Sequence, residues 1–411
     1  METDVCIIGA GPAGLFASIF AAKSGAKTVI VEKNTSAGRK LLITGGGRCN
    51  LTHHCSVDDF VKAYGKCGRF LRHSLYEFSA DGLINYFAER GLRMKIEKDG
   101  CVFPVSERAA DVAKVLIDHT KELSIRFLYD KKVAGIKKIS EGFEIAAGTH
   151  KIEAKKVIIA TGGLSWPLTG STGDGFVFAK YLGHKIVEPK ASLCTLVTAQ
   201  TRLHQLKGVS LNNIVIKTSA GNKKVSIAGP LVFTDSGIGG PCVLEISRFI
   251  TDFLPNEKSP VKITIDLLPE YEFKKLDEKI ISICAHQPKK ELANVLAEFL
   301  PKALVSNICS ELNIPSQLQA GQLTKKHRLE LIRIIKELPL YISATGPIGE
   351  ATVTRGGVCL SEINSKTMES KLCPGLYFCG EVINADGPCG GYNLQIAFST
   401  GHLAGRAAAQ S

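Results

Sequence analysis

The residue spacing with the clearest chemical meaning is Gly9-Ala10-Gly11-Pro12-Ala13-Gly14, entered from the apolar run Val5-Cys6-Ile7-Ile8 and left through a helical pattern from Leu15 to Lys23. In such a strand–turn–helix the first glycine permits the tight turn and the second lets backbone approach a pyrophosphate. The third lets the helix pack on the strand, and phosphate then rests at the positive end of the helix dipole. A second apolar run, Thr28-Val29-Ile30-Val31, ends in Glu32, an acid at the distance that suits a ribose hydroxyl. The expected ligand is a dinucleotide, with Gly9, Gly11, Ala13, Gly14 and Glu32 among its contacts.

Lys33 follows Glu32, and the segment Gly38-Arg39-Lys40-Leu41-Leu42-Ile43-Thr44-Gly45-Gly46-Gly47-Arg48-Cys49-Asn50 combines cations with consecutive glycines. Such a loop can lay its backbone against a planar ring while its cations meet phosphate. A surface turn with solvated charges is the plainer reading, but the loop directly follows the second strand, where a bound dinucleotide lies. Near the other end, Gly380-Glu381-Val382 leads through Gly390-Gly391-Tyr392-Asn393-Leu394-Gln395 into a final helix. A helix N-terminus preceded by glycines can aim unpaired N–H groups at an electron-rich ring carbonyl. Negative charge developing there on reduction of such a ring would be stabilised.

The elements that must hold these residues are spread along the chain. Val157-Ile158-Ile159-Ala160 reads as a buried strand ending in the glycine turn Thr161-Gly162-Gly163, and Gly375 to Cys379 reads as another. Uninterrupted hydrophobic runs of this kind match parallel strands covered on both faces. Phe127 to Ala147 has the look of hairpin strands with a turn at Glu141-Gly142. From about 190 to 345 no glycine-rich nucleotide turn follows a strand. Segments such as Asn213 to Lys217 and Val261 to Ile265 read as strands, and Glu270 to Glu337 is helical in pattern. The predicted fold is α/β: a doubly wound nucleotide domain from 1–190 and 345–411, with an inserted strand-rich and helical domain at 191–344.

Length, 45% hydrophobic content and the lack of a membrane-spanning apolar run suit a globular enzyme of two or three domains. The start lacks the basic region and cleavage site of a signal peptide, which predicts a cytoplasmic protein with no membrane partner. The thirteen cysteines are scattered and never form Cys-x-x-Cys, which argues against a redox dithiol, a structural zinc or an iron–sulfur cluster; no metal site is expected. The formal charge of +12 invites a polyanion, but it is divided among short clusters such as Lys131-Lys132, Lys223-Lys224, Lys289-Lys290 and Lys325-Lys326-His327-Arg328.

The N-terminal fingerprint and Gly38 to Asn50 join with Thr354-Arg355-Gly356-Gly357-Val358, Lys366-Thr367-Met368-Glu369-Ser370-Lys371 and Gly390 to Gln395 in one resemblance. With all of these motifs the chain resembles the YhiN/BaiN-like flavoproteins, also called the aminoacetone oxidase family, over essentially its whole length. The resemblance implies FAD in a Rossmann-like domain, with the inserted domain placed over the flavin. It places Gly9, Gly11, Gly14 and Glu32 at the adenosine end and Arg39 and Lys40 near the cofactor. Gly380, Glu381 and Gly391 to Leu394 fall around the ribityl chain and ring; Lys33, Gly47, Arg48, Cys49, Thr161 and Gly162 complete the expected cofactor contacts.

By the same resemblance, members are associated with reducing a uridine of large-subunit ribosomal RNA to dihydrouridine, with reducing steroid enones and with oxidising a small amine. The expected reaction is reduction of an activated C=C bond, with ribosomal RNA ranked first because the basic balance suits it. A small enone or amine, or a non-catalytic FAD-binding role, are the alternatives. No second glycine fingerprint is apparent, so NADH or NADPH is expected only as a transient donor. Cys49 and Cys389 fall in loops implied to lie near the flavin, where a thiol could protonate the substrate carbon that does not receive hydride; both are also small enough to be packing residues. His53 and His54 could supply protons or simply face solvent. The chain departs from the family pattern at Asp235, where a histidine is implied, and at Asn384, where an acid is implied. Asp235 is therefore a third candidate for proton chemistry, against a turn-forming role before Ser236-Gly237.

Overall fold

Val5, Cys6, Ile7 and Ile8 are at most 4% exposed, as a strand with helices on both faces must be. The strand Glu2–Ile8 pairs in parallel with Thr28–Val31 on one side (Val5 opposite Thr28, Ile8 opposite Val31) and with His150–Ile159 on the other (Cys6 opposite Val157). Helix Pro12–Lys23 makes the crossover between the first two strands. The sheet order, by residue, is 126–128, 28–31, 2–8, 150–159, 142–147, 133–139, and Leu376–Phe378 adds in parallel along the second half of His150–Ile159. The chain thus leaves the first strand to one side through Thr28–Val31 and returns on the other through His150–Ile159. That reversal creates a crevice at the strands' carboxyl ends, the place where doubly wound sheets bind ligands.

The computed structural model describes residues 1–220, 223–254 and 260–410, which form two units, 1–191 with 348–411 and 192–347. In the first, the final helix Tyr392–Gln410 packs on helix Pro12–Lys23 through Phe398 and Phe16, whose rings meet edge-on at 5.0 Å. Phe16 also meets Phe78 and Tyr86 at 5.0 and 4.9 Å, which ties in the helices Gly68–Glu77 and Ala80–Glu89. A small antiparallel sheet of Thr52–His53, Cys101–Pro104 and Met94–Ile96 belongs to the same unit.

The hairpin is shorter than its sequence pattern. Val133–Ile139 pairs with Gly142–Ala147, whereas Phe127 belongs to Arg126–Leu128, a parallel strand at the sheet edge with Ile30 opposite Phe127. A three-residue strand carries too little alternation to announce its partner.

In the second unit, six strands close into an antiparallel barrel in the order 196–198, 237–239, 223–233, 210–220, 261–266, 338–345. Alternation sets the inward face, so Ile263 and Ile265 are buried and lie opposite Leu340 and Leu338. Helices Phe273–His286, Leu292–Leu296, Lys302–Glu311 and Lys325–Lys336 carry the apolar stripes read from the sequence. Arg328, part of a basic cluster in sequence, is held by Asp277 at 2.6 Å and its side chain is only 17% exposed. It is an internal ion pair rather than a free surface cation. No described helix is long and apolar enough to cross a membrane.

Candidate dinucleotide site

The three fingerprint glycines have different physical reasons to be glycine. Gly9 sits at φ 104°, and a Cβ there would lie 2.6 Å from the Ala160 carbonyl oxygen; a Cβ at Gly14 would overlap the Gly9 carbonyl oxygen. Both are needed by the protein's own geometry. Gly11 is extended, at φ −75° and ψ −179°, and a Cβ there would meet nothing within 4 Å. Neither backbone conformation nor protein packing asks for glycine at 11, so the space in front of it is free for a ligand. Pro12 begins the helix, no side chain caps it, and its first turn contains no acid. The leading N–H groups and the positive end of the dipole are left to an anion. Ala13 is buried in the same turn and would touch a Cβ placed on Gly380.

Glu32 is 7% exposed and holds this turn in place. Its Oε2 accepts from Ala10 N–H at 2.8 Å, and its Oε1 accepts from both the backbone and side-chain nitrogens of Asn34 at 2.8 Å. A carboxylate offers about four lone-pair sites, so room for a ribose hydroxyl remains. Asn34 in turn accepts from Arg39 at 2.9 Å. Lys33 reaches Asp174 at 2.7 Å and also donates to Thr172, which fastens the loop after the second strand to the one after His150–Ile159.

Lys40 and Glu381, 341 positions apart, form the centre of a second cluster. Lys40 Nζ lies 2.6 Å from Glu381 Oε2 and 2.6 Å from Ser165 Oγ. Glu381 Oε1 accepts from Ser165 Oγ and Thr354 N–H, each at 2.8 Å. Burial by itself would raise the Glu381 carboxyl; the Lys40 ammonium and these hydrogen bonds outweigh it and hold the group below the usual carboxylate range. Ser165 and Asn34 were not singled out in the sequence, and nothing local marks them. Thr354 lay within a recognised motif without an assigned role.

At the other end, Gly391 leads into helix Tyr392–Gln410. The Asn393 side chain accepts from Gly387 N–H at 2.8 Å and donates to the Gly387 and Pro388 carbonyls at 3.0 and 3.1 Å, folding the glycine-rich loop onto the helix start. The Tyr392 ring stacks on His53 at 4.9 Å and meets Phe60 edge-on at 5.1 Å. Leu394 and Cys389 are half-buried beside it. Thr161 and Gly162 follow His150–Ile159 at the same carboxyl edge as the fingerprint.

The surroundings of the remaining expected residues are as follows. Arg48 donates to Glu97 and, at 3.2 Å, to Glu107, and its guanidinium lies 3.9 Å from the Phe103 ring centroid; its charge is taken up by protein partners. Cys49, next to Gly47 and Arg48, is fully buried in a left-handed conformation, and burial pushes its thiol up to about 12. Asp235 belongs to the second unit, with a side chain 70% exposed and 2.6 Å from Lys207. It lies in a turn closed by Thr234 N–H to Gly237 O and Gly237 N–H to Thr234 Oγ1. His54 faces Asp81 at 3.6 Å near the surface.

The residues present fit an FAD. Besides the opening at Gly11 and the uncapped helix, Asn50 Oδ1 and Thr161 Oγ1 are buried without a hydrogen-bond partner, in the two loops expected to touch the cofactor. Buried polar atoms of this kind ask for a partner. No cluster of metal-ligating side chains occurs among the described residues.

Fold and site together define a doubly wound dinucleotide-binding protein carrying an inserted barrel-and-helix unit. The chain belongs to the HI0933-like family, whose Rossmann-domain description matches residues 3–407. It is 32% identical over 406 residues to the 3-dehydro-bile acid delta(4,6)-reductase of Clostridium scindens, covering 98% of each chain. It is 31% identical over 400 residues to the ribosomal RNA dihydrouridine synthase of Escherichia coli, covering 97% of this chain and 96% of that one. Among solved structures, a 3-ketosteroid-delta4-(5alpha)-dehydrogenase from Rhodococcus jostii shares the fold with a TM-score of 0.52 at 17% identity, covering 100% of this chain and 97% of the other. A flavocytochrome c3 fumarate reductase shares it at 0.53 and 21% identity, covering 100% and 78%.

Proposed function

We propose that the chain is an FAD-dependent oxidoreductase that reduces an activated C=C bond. Gly11 carries this reading, because an open space before an uncapped helix N-terminus fits a pyrophosphate. In support, both full-length relatives carry names that describe saturation of a conjugated C=C bond, in a bile-acid ring and in uridine.

In this account Gly9, Gly11, Ala13 and Gly14 receive the pyrophosphate and Glu32 accepts from the ribose, while Lys33 and Arg39 fix the loop beside it. Lys40 and Glu381 face the ribityl chain, and Gly391 to Leu394 present N–H groups to the ring. Asn50 and Thr161 satisfy their orphaned atoms on the same ligand. FAD supplies a hydride when bound. The chain must then deliver a proton to the other carbon of the double bond and keep water from the site. Cys389, half-buried at the mouth of the final helix, is better placed for proton delivery than Cys49, whose thiol is sealed and weakly acidic. NADH or NADPH docks transiently as donor, and the protein works in the cytoplasm.

Ribosomal RNA is the first-ranked substrate, because the formal charge of +12 favours a polyanion; a small enone is the second, on the full-length likeness to the bile-acid reductase. The test is anaerobic single turnover. Reduced holoprotein is mixed with deproteinised or ribosome-bound RNA, or with a 4-en-3-one steroid, and the product mass is measured. A gain of two hydrogens in one substrate class supports the reading, and no gain in any substrate overturns it.

A further inference from the structure

Trp166 is the chain's only tryptophan, and its backbone sits at φ 56° and ψ 58°, a left-handed conformation that a bulky side chain seldom adopts. Such strain persists only where the surroundings over-determine it, and it gathers where ligands are handled. Leu164 N–H and Ser165 N–H donate to Thr354 Oγ1 at 2.7 and 3.1 Å, and Trp166 N–H donates to Gly349 O at 2.9 Å. The Trp166 carbonyl accepts from Thr169 N–H at 2.9 Å and Thr169 Oγ1 at 2.7 Å. Successive peptide groups are fastened, and every one of these bonds engages the main chain of residues 164–166, none the indole.

The side chain itself is left open. Trp166 is 44% exposed, and Leu168 beyond it is 88% exposed. No described residue stacks on the indole, places a cation over it or hydrogen-bonds to it. The preceding residue, Ser165, is wholly buried, with its Oγ bonded to both Lys40 and Glu381. The left-handed turn therefore separates two neighbours: Ser165 is committed to the Lys40–Glu381 cluster, while the indole is presented to solvent one residue away. A tryptophan serving only to pack would be covered. This one is held rigidly at the rim of the candidate cofactor site.

We propose that Trp166 is the platform on which the flat face of the substrate's conjugated enone stacks, and so a specificity-determining residue. The inference rests on the reading of the chain as a C=C reductase. The C6=C5–C4=O unit of a uracil and ring A of a 4-en-3-one steroid both offer an unsaturated carbonyl face that an indole can cover. A rigid platform in place before binding also reduces the ordering needed to align the double bond.

The test uses FAD-loaded wild type, Trp166→Phe and Trp166→Ala, matched for FAD content. KM and kcat are measured on uridine-containing RNA and on a 4-en-3-one steroid, together with the rate at which N-bromosuccinimide oxidises the wild-type indole. Trp166→Ala should raise KM for the true substrate about ten-fold or more, the loss expected for one stacking contact. Its kcat should stay within about three-fold, and Trp166→Phe should retain most of the affinity. Saturating substrate should slow oxidation of the indole, and the compound that does so identifies which of the two sources supplies the enone. Turnover by Trp166→Ala with unchanged KM, or equal oxidation with and without substrate, overturns the platform alone. Reduction of neither compound by wild type overturns the reductase reading and the platform with it.

Discussion

Replacing Gly11 with alanine separates a glycine kept for a ligand from one kept for the fold. In the structure Gly11 is extended and a Cβ there meets nothing within 4 Å, so alanine adopts the conformation without strain. Because alanine restricts the unfolded chain more than glycine does, the apoprotein should be unchanged or more stable by about 0.5 kcal/mol. The same methyl stands where a pyrophosphate oxygen would approach the backbone. Losing one hydrogen bond to a charged group there costs about 1.5–3 kcal/mol, which weakens FAD binding by roughly 10- to 150-fold. Gly14→Ala is the control, since its Cβ would overlap the Gly9 carbonyl oxygen, and that variant should lose stability whether or not FAD is present. The assay is titration of apoprotein with FAD by flavin fluorescence, beside urea unfolding of each apoprotein. FAD affinity for Gly11→Ala within two-fold of wild type, or destabilisation as large as that of Gly14→Ala, would refute the reasoning.

Other outcomes follow from the same geometry. The Glu381 carboxyl lies below its ordinary value of 4.5, so its contribution to stability is present above pH 4.5 and is lost as pH falls through the folded-state value; Lys40→Met should remove most of that pH dependence in urea unfolding. His402 is buried with its pKa pushed down to about 4, first by burial and then by Arg406. Its neutral form is fully compatible with the fold above pH 6.5, and stability should fall by up to about 3 kcal/mol between pH 6.5 and 4. His402→Leu should flatten that slope, and an unchanged slope would show that the group does not titrate on unfolding. Among the cysteines, the half-buried Cys55, Cys101, Cys359 and Cys389 should react with an aromatic disulfide reagent in the folded protein, while buried Cys6, Cys49 and Cys379 should not; mass mapping of the labelled sites decides this. Cys389→Ala should slow substrate reduction about 100-fold or more if its thiol delivers the proton, and an unchanged single-turnover rate would exclude it.

The parts legible in sequence were those whose signal is local. Val5 to Ile8 and Val157 to Ile159 are apolar without alternation because both faces of the sheet are covered, and each is followed by a glycine turn, so strand, turn and parallel arrangement were readable together. Barrel closure was not readable. Alternation in Val261 to Ile265 tells which face is buried, but the pairing of Ile263 with Leu340 depends on register across more than seventy residues. The same limit applied to the charges. Lys33 and Arg48 read as cations for a bound cofactor and Arg328 as part of a basic cluster, whereas their partners Asp174, Glu97 with Glu107, and Asp277 are supplied by distant segments. Glu32 was read as a ribose acceptor, and the structure adds that its carboxylate also fastens the glycine turn through Ala10. The three-residue strand containing Phe127 is too short for its alternation to announce its partner.

Both ends of the chain must build one flavin site if the protein is to hold FAD. Purified protein, or apoprotein incubated with FAD and desalted, is scanned for flavin absorbance, denatured, and the released nucleotide identified by chromatography and mass. The expected result is a yellow protein releasing about one FAD per chain, as one fingerprint turn predicts. A colourless protein that cannot be reconstituted with FAD would contradict the account.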